Sequence, residues 1–264
     1  MNFILSPIAI ENGYQVKWFE CLESTNHLAI DLAKTYKCDR HWIVADEQTS
    51  GRARRGRDWS SPKGNLYASL LLIKDIHPNT AAQLGFVAGV SLADAITKCL
   101  YEHNLDTNIV RLKWPNDVLL CDDKSAGILL ELVQLSQYEY ALIIGIGLNV
   151  AFNYKLAPYP TQSLKSIGVT TTCQTIFSYL SEFWVQNYYL FLQPDGAVAI
   201  RNKWLSYAAR LGKRIKILNG NEIIEGDFEG LDHDFNCLVN IGEPQSKKIT
   251  AGDVFFGGAA SLKR

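Results

Sequence analysis

Apolar positions fall into two rhythms along the chain. Short continuous runs mark buried strands at 42–45 (WIVA) and 66–73, where 66–72 is almost wholly apolar. Spacings of three and four mark helices. Residues 27–36 carry Leu28, Ile30, Leu32 and Ala33. Residues 80–101 carry Ala81, Leu84, Val87, Ala88, Leu92, Ala95 and Ile96, and read as a long central helix. Two more helices are predicted at 174–192 and 196–209, with Phe177, Tyr179, Phe183, Trp184 and Trp204 among their aromatics. Residues 1–20 supply an edge segment ending at Val16, Trp18 and Phe19.

Three strands are predicted at 110–120, 125–135 and 138–150. Their polar turns, Asp122-Asp123 and Ser136-Gln137, are short enough for an antiparallel meander. The order is mixed rather than alternating βαβα, so the fold class is α+β with a mixed or antiparallel sheet. Residues 151–172, rich in Pro, Tyr, Thr and Ser, form a surface loop of a length usually tied to function or disorder. From Gly212 the chain changes to short strands with turn signals at Asn219-Gly220, Gly230, Gly242 and Gly252, the pattern of a small β-barrel. The predicted division is 1–210 and 211–264.

Composition narrows the function classes. With 264 residues, 47% hydrophobic and 20% charged, the chain is an ordinary globular sequence. Its formal net charge of -1 gives no general electrostatic reason to bind nucleic acid or anionic membrane. The six cysteines contain no CxxC pair and the five histidines are dispersed, so neither a zinc site nor a disulfide framework is visible. No leader pattern opens the chain, and no apolar run approaches the roughly 20 residues of a membrane span. The reading is a cytoplasmic protein.

Against that neutral background, residues 51–57 (GRARRGR) place Arg52, Arg54, Arg55 and Arg57 between Gly51 and Gly56, immediately before the apolar run of 66–72. A solvated basic loop is one reading. The other is a loop closing over phosphate oxygens, since guanidinium offers a planar fork of donors. Gly51 and Gly56 sit at Walker spacing, but Arg57 and Asp58 stand where Lys and Ser/Thr belong, so the loop is an anion clamp of another kind.

Three further stretches carry candidate chemistry. Ser24, Thr25 and Asn26 suit a helix N-cap, and such a helix start can also hold a polar ligand group through free backbone N–H groups. Pro115 interrupts a strand and presents Asn116 and Asp117 at the break. Lys124 lies in the Asp122-Asp123-Lys124 turn, where plain solvation is one reading; because it precedes a strongly apolar strand, the other is that a modest inward turn would bring its ammonium into a cleft. In 143–150 (IIGIGLNV) the glycines mark close approach of a backbone or ligand, with Asn149 at the strand's end. No dinucleotide fingerprint is completed there.

Taken together, Ser24-Thr25-Asn26, Gln48 with the GRARRGR loop and Trp59, Ser61-Pro62-x-Gly64-Asn65-Leu66-Tyr67, Lys113-Trp114-Pro115-Asn116-Asp117, Lys124-x-x-Gly127-Ile128-Leu129 and Gly145-x-Gly147-x-Asn149 occur in the order seen in biotin protein ligases, which the chain resembles over most of 18–150. The resemblance implies a catalytic domain related to class II aminoacyl-tRNA synthetases and a C-terminal SH3-like barrel. It implies two half-reactions: biotin and Mg-ATP give biotinyl-5'-AMP and pyrophosphate, then a lysine of the biotin carboxyl carrier protein of acetyl-CoA carboxylase takes the biotinyl group.

By matching position the resemblance puts Ser24, Thr25, Asn26, Gln48, Arg52, Ala53, Arg54, Lys124, Gly127 and Gly147 at biotin. It puts Arg54, Arg55, Arg57, Trp59, Asn116, Lys124 and Asn149 at the nucleotide, with the adenine under a segment within 151–163. Lys124, Arg52, Arg54 and Asp117 would be catalytic, Asp117 orienting or deprotonating the acceptor lysine. ATP, Mg²⁺ and biotin are the implied ligands, with Mg²⁺ held mainly by ATP phosphates and no protein metal site. A homodimer through sheet edges is left open. The roughly 20 residues before Ser24 are too few for the winged helix of repressor relatives, so no specific DNA binding is expected.

Three departures bear on this reading. Ala53 replaces a common glycine and should stiffen the loop. Thr161-Gln162-Ser163-Leu164 stands where many relatives read Ala-Thr-Ser-Leu, and Asn236 takes a glycine's place in a turn. The rivals are a lipoate or octanoate ligase, which shares the fold, and a non-enzymatic biotin or nucleotide sensor. The GRARRGR loop and KWPND favour biotin over the first, and Lys124 with four loop arginines argues against the second.

Overall fold

Seven of the apolar runs assemble into one sheet in the computed structural model, which describes residues 3–256 apart from 37, 77, 155–156 and 158. They are β1 (Gln15–Leu22), β2 (His41–Gln48), β3 (Leu66–Lys74), β4 (Val110–Lys113), β5 (Asp117–Leu120), β6 (Asp123–Gln134) and β7 (Tyr140–Leu148), in the spatial order β1-β2-β3-β7-β6-β5-β4. Every neighbouring pair is antiparallel except β1 and β2, where Val16 stands opposite Trp42 in parallel register. A parallel pair needs a crossover, and α2 (Thr25–Tyr36) supplies it.

Strand alternation divides the sheet's side chains between two layers. Ile43, Leu71, Ala141 and Ile143 face α2 and pack against Ala29, Leu32 and Ala33. Trp42, Val44, Leu70, Leu72, Leu142 and Ile144 face the other way, into the core built with α3 (Pro78–Glu102), α4 (Cys173–Phe191) and α5 (Gly196–Tyr207). Both faces of β3 are therefore covered, which is why 66–72 reads as unbroken apolar sequence. Each such Leu or Ile stabilises the fold by roughly 1.5–3 kcal/mol on burial. Polar groups fix the three helices relative to one another: Lys203 Nζ and Asn187 Nδ2 donate to Asp94 Oδ2 at 2.6 and 2.8 Å, and Tyr207 OH donates to Asp94 Oδ1 at 3.0 Å.

The C-terminal strands form a separate five-stranded antiparallel sheet in the order β11-β10-β9-β8-β12. These are β8 (Arg214–Asn219), β9 (Glu222–Leu231), β10 (Cys237–Asn240), β11 (Lys247–Ile249) and β12 (Asp253–Phe255). The Asn219-Gly220 turn forms as the sequence indicates, with Gly220 at φ +62. Trp114 Nε1 donates to Phe235 O at 3.1 Å, and Phe86 and Phe235 rings lie 4.8 Å apart, so the C-terminal unit packs against α3 and the turn between β4 and β5.

Several expectations change. The strand at 110–120 is two strands, β4 and β5, paired with each other across Pro115 so that Lys113 faces Asp117. Sequence alone shows one apolar stretch; the proline turns it into a hairpin. The edge segment is β1, but it is preceded by α1 (Pro7–Glu11), a short helix capped by Ser6 with proline in its first turn. α3 does have the length and apolarity of a membrane span over Thr80–Glu102, yet 78% of that window is buried inside the fold, as a core helix would be. The positive φ near Asn236 falls on Phe235 (φ +64), while Asn236 instead donates its backbone N and Nδ2 to Asp232. Residues 257–264 of the expected second unit lie outside the described residues.

Candidate active site

The strand ends of β5, β6 and β7, the start of α2, the arginine loop and β12 enclose a cavity of about 460 Å³, within the size range of small-molecule sites. Its walls include every expected site residue except Arg55.

One end is a network of hydrogen-bond donors and acceptors, neutral apart from the Glu131 carboxylate behind Asn26. Ser24 caps α2, its carbonyl accepting from Leu28 N at 3.1 Å. Thr25 N and Oγ1 donate to Gln48 Oε1 at 2.8 and 3.1 Å, and Gln48 Nε2 donates to Ser61 Oγ at 2.9 Å. Asn26 Nδ2 donates to Glu131 Oε2 at 2.8 Å, while Ser69 Oγ lies 2.6 Å from Asn26 Oδ1. All three α2 residues are buried, so their polar atoms have fixed orientations. The β7 glycines make the room. A Cβ on Gly145 would collide with Asn26, and one on Gly147 with the Trp59 indole. Close approach, not backbone strain, explains glycine at both positions.

The other end is charged. The β4–β5 hairpin and the β5–β6 turn, at Cys121 and Asp122 with φ of 52 and 67, bring two ammonium groups onto one carboxylate. Lys124 Nζ lies 2.7 Å from Asp117 Oδ1, and Lys113 Nζ 2.8 Å from Asp117 Oδ2. Burial alone would raise the Asp117 carboxyl, but the two lysines outweigh it and hold it well below the usual carboxylate range. Burial likewise opposes the Lys124 charge, and Asp117 overrides it, raising the ammonium pKa. Lys124 also sits over the Trp59 and Tyr159 rings, 5.4 and 5.2 Å from their centroids, contacts that favour a cation.

The arginine loop closes this end. Ala53 N donates to Arg57 O at 2.7 Å, and Trp59 N to Gly51 O at 2.9 Å. Ala53 is extended, at φ -119; the left-handed residue is Arg55, at φ 59. The substitution at 53 therefore meets no steric conflict in this conformation. Arg52 Nη2 pairs with Glu131 Oε1 at 3.1 Å. Arg54 Nη1 donates to Asn116 Oδ1 at 2.7 Å, and burial lowers its pKa against the opposing pull of Asp253 and Asp117. Arg55, expected beside the nucleotide, does not line the cavity and pairs instead with Asp253 Oδ2 at 3.2 Å.

Residues 154, 157 and 159–161 form another wall, while Lys155, Leu156 and Pro158 of the expected adenine segment lie outside the described residues. Lys124 N donates to Pro160 O at 3.2 Å and Gln162 N to Lys124 O at 2.9 Å, so this loop is tied to β6. Asn65 Oδ1 accepts from the N–H groups of Val150, Ala151 and Phe152 at 2.9, 3.0 and 3.0 Å, fixing the loop's start. Sequence reasoning assigned no role to Asn65, Ser69, Glu131 or Asp253. Ser69 and Glu131 carried a signal, being polar positions inside apolar strands. Asp253 carried none, because its partners are almost 200 residues away.

The arrangement joins a neutral, hydrogen-bonding slot to a cation-rich mouth within one cavity. It can hold a polar uncharged ring at one end while stabilising negative charge at the other.

Two family models match the chain. The biotin/lipoate A/B protein ligase family model matches residues 18–149, and the biotin protein ligase C terminal domain model matches residues 211–257. The chain is 36% identical to the biotin--[acetyl-CoA-carboxylase] ligase of Paracoccus denitrificans, over 89% of this chain and 98% of that protein. It is 31% identical to the bifunctional ligase/repressor BirA of Escherichia coli (strain K12), over 84% of this chain and 68% of the relative. Among solved structures, the biotin protein ligase from Aquifex aeolicus in complex with biotin and ATP superposes with a TM-score of 0.74 at 28% identity, covering 91% of this chain and 97% of that one.

Proposed function

The chain belongs to the biotin/lipoate protein ligase family and acts as an ATP-dependent biotin protein ligase, and from that premise we propose which residues carry each step. The observation that carries the reading is the single cavity joining the Ser24–Thr25–Asn26–Gln48 network to the buried Lys124 ammonium. The neutral slot takes the ureido ring, with the Gly127 and Gly147 floor beside Trp59 accommodating the valeryl chain. The biotin carboxylate then lies toward Lys124, Arg52 and Arg54.

In the first step a carboxylate oxygen attacks the α-phosphorus, the bond to the bridging oxygen breaks, and pyrophosphate leaves. Negative charge develops where Lys124 and the loop guanidinium groups converge, so positioning and charge stabilisation carry the catalysis. Asn116 orients Arg54. In the second step the acceptor lysine nitrogen attacks the acyl carbon, the mixed-anhydride C–O bond breaks, and AMP leaves. Asp117 serves here as the anchor of Lys124. Its depressed pKa makes it a weak proton acceptor, which favours the orienting role over deprotonation.

Mg²⁺ would be held mainly by ATP phosphates, where it would supply positive charge to offset that of the leaving pyrophosphate. Asp117 is already paired with two lysines, and among the described residues the one cluster of three metal-capable side chains, Asp232, His233 and Asp234, lies outside the cavity. We assign the C-terminal sheet to an SH3-like barrel and the main sheet to the class II synthetase-like group on the strength of topology. The acceptor is a biotin carrier domain of acetyl-CoA carboxylase, in the cytoplasm. The outer edge of β1, paired on one side only, is a candidate surface for a second copy.

Acid-dependent ATP–pyrophosphate exchange with biotin, lipoate and octanoate, together with transfer to a carrier domain, tests the assignment. Exchange with biotin at least about 100-fold above the other acids is expected, given the energetic cost of unpaired polar groups in a slot built for a hydrogen-bonding ring. Preference for lipoate or octanoate would move the chain to the sister branch, and silence with all three would leave a sensor.

A further inference from the structure

Three guanidinium groups of the arginine loop meet one carboxylate, and that carboxylate belongs to the other sheet. Asp253 opens β12. Its Oδ2 lies 3.2 Å from Arg55 Nη1 and 3.3 Å from Arg57 Nη2, and its Oδ1 lies 3.7 Å from Arg54 Nη1. Arg54 Nη2 also donates to the neighbouring Gly252 carbonyl at 3.2 Å. The Asp253 side chain is only 18% exposed, while of its partners Arg54 is partly buried and Arg55 and Arg57 are more open to solvent. Single exposed ion pairs contribute little, but several charges sharing one acceptor form a network that can. Without a counter-ion, three like charges on a short loop repel one another and the loop opens.

We propose that Asp253 is a positioning residue for adenylation: it latches the arginine loop onto the C-terminal sheet, so that Arg54 and Arg57 are already in place when the nucleotide phosphates arrive. Arg55 is the strut of the latch, since it reaches Asp253 and does not line the cavity. Its left-handed backbone, φ 59, points to a held conformation. Asp253 touches no reacting atom. It acts through the arginines, and the C-terminal sheet thereby becomes a working part of the phosphate site. The proposal rests on the adenylation reading above.

The test uses the full chain as wild type, Asp253→Asn, Asp253→Glu, Arg55→Gln and the Asp253→Asn/Arg55→Gln double variant. Two readouts are taken: KM for ATP, KM for biotin and kcat in biotin-dependent ATP–pyrophosphate exchange, and the rate of trypsin cleavage at residues 52–57 without ligands. Asp253→Asn should raise KM for ATP about tenfold, raise KM for biotin less, about threefold, because Lys124 and Arg52 still face its carboxylate, and speed loop cleavage about tenfold. Asp253→Glu should recover most of both, and the double variant should be no worse than Asp253→Asn alone, because both changes break the same contact. A merely structural role would move both KM values and kcat together and would lower Tm.

Unchanged KM and cleavage, a lower KM for ATP (a carboxylate competing with phosphate rather than holding the loop), or fully additive single variants would each overturn the proposal. If the wild type shows no biotin-dependent exchange, the adenylation reading fails instead, and the cleavage comparison still reports whether Asp253 holds the loop.

Discussion

The two cationic groups of the cavity, Lys124 and the arginine loop, are held in opposite ways. Lys124 sits on a strand, buried, 2.7 Å from Asp117 and over two aromatic rings. Its counter-ion is local, since Asp117 and the second ammonium of Lys113 come from the β4–β5 hairpin, while the Trp59 and Tyr159 rings are brought in from the loops on either side. The arginines sit on a loop, Arg55 and Arg57 exposed and Arg54 partly buried, and the counter-ion of these three, Asp253, arrives from the far end of the chain. Buried charges interact strongly and are little affected by salt, whereas exposed ones are screened. The difference teaches a division of labour. On the proposed assignment, the charge used in both half-reactions is built into the sheet, and the charges that would admit ATP and release pyrophosphate sit on the loop that Asp253 is proposed to latch.

The comparison breaks first at Asp117. Asp117→Asn leaves two lysines facing each other without their shared anion, and should cost about 3 kcal/mol of stability at neutral pH, as uncompensated buried charge does. The pH dependence has a definite sign. Because the folded carboxyl ionises below its unfolded value, its contribution is complete above pH ~4–5 and fades as pH falls through the folded pKa. The stability gap between wild type and variant in urea titrations should therefore narrow from pH 6 to pH 3. A gap that stays constant would mean that Asp117 is not ionised against the lysines.

The smallest effect is expected on the loop backbone. Ala53→Gly introduces the glycine that the family resemblance leads one to expect, but Ala53 is extended at φ -119 and meets no strain to relieve. The variant should lose about 0.5 kcal/mol or less of loop order through added flexibility and keep its kcat within about twofold. A large gain in adenylation would show that position 53 must become left-handed during the cycle.

Much of this architecture was legible because its signals are local. The α3 spacing and the unbroken β3 run needed no partner to be recognised. The hairpin β4–β5 was not legible as such, since apolar residues continue on both sides of Pro115 and only the tertiary pairing of Lys113 with Asp117 reveals the reversal. The helix α1, five residues long, is below the length at which periodicity can register. Within the site, residues carried by motifs reach one cavity. Those that orient them, Glu131 beneath Arg52 and Asn26, Asn65 under the loop after β7, and Asp253 across the sheets, act through contacts 79 (131 − 52) to 199 (253 − 54) residues distant or by side chains with no motif of their own. Arg55 shows the converse. Its motif placed it at the nucleotide, and the structure turns it outward to Asp253.

The central claim is that the sheet-mounted ammonium of Lys124 stabilises the charge developed in adenylation. The most direct measurement is the single-turnover rate of biotinyl-5'-AMP formation at saturating biotin and Mg-ATP, for wild type and Lys124→Met, a variant that preserves packing but removes the charge. The account predicts a loss of about 100- to 1,000-fold in that rate, the usual effect of removing one preorganised charge-stabilising group, with binding of both substrates much less affected. A rate within a few-fold of wild type would contradict it, and would move the catalytic charge to the arginine loop.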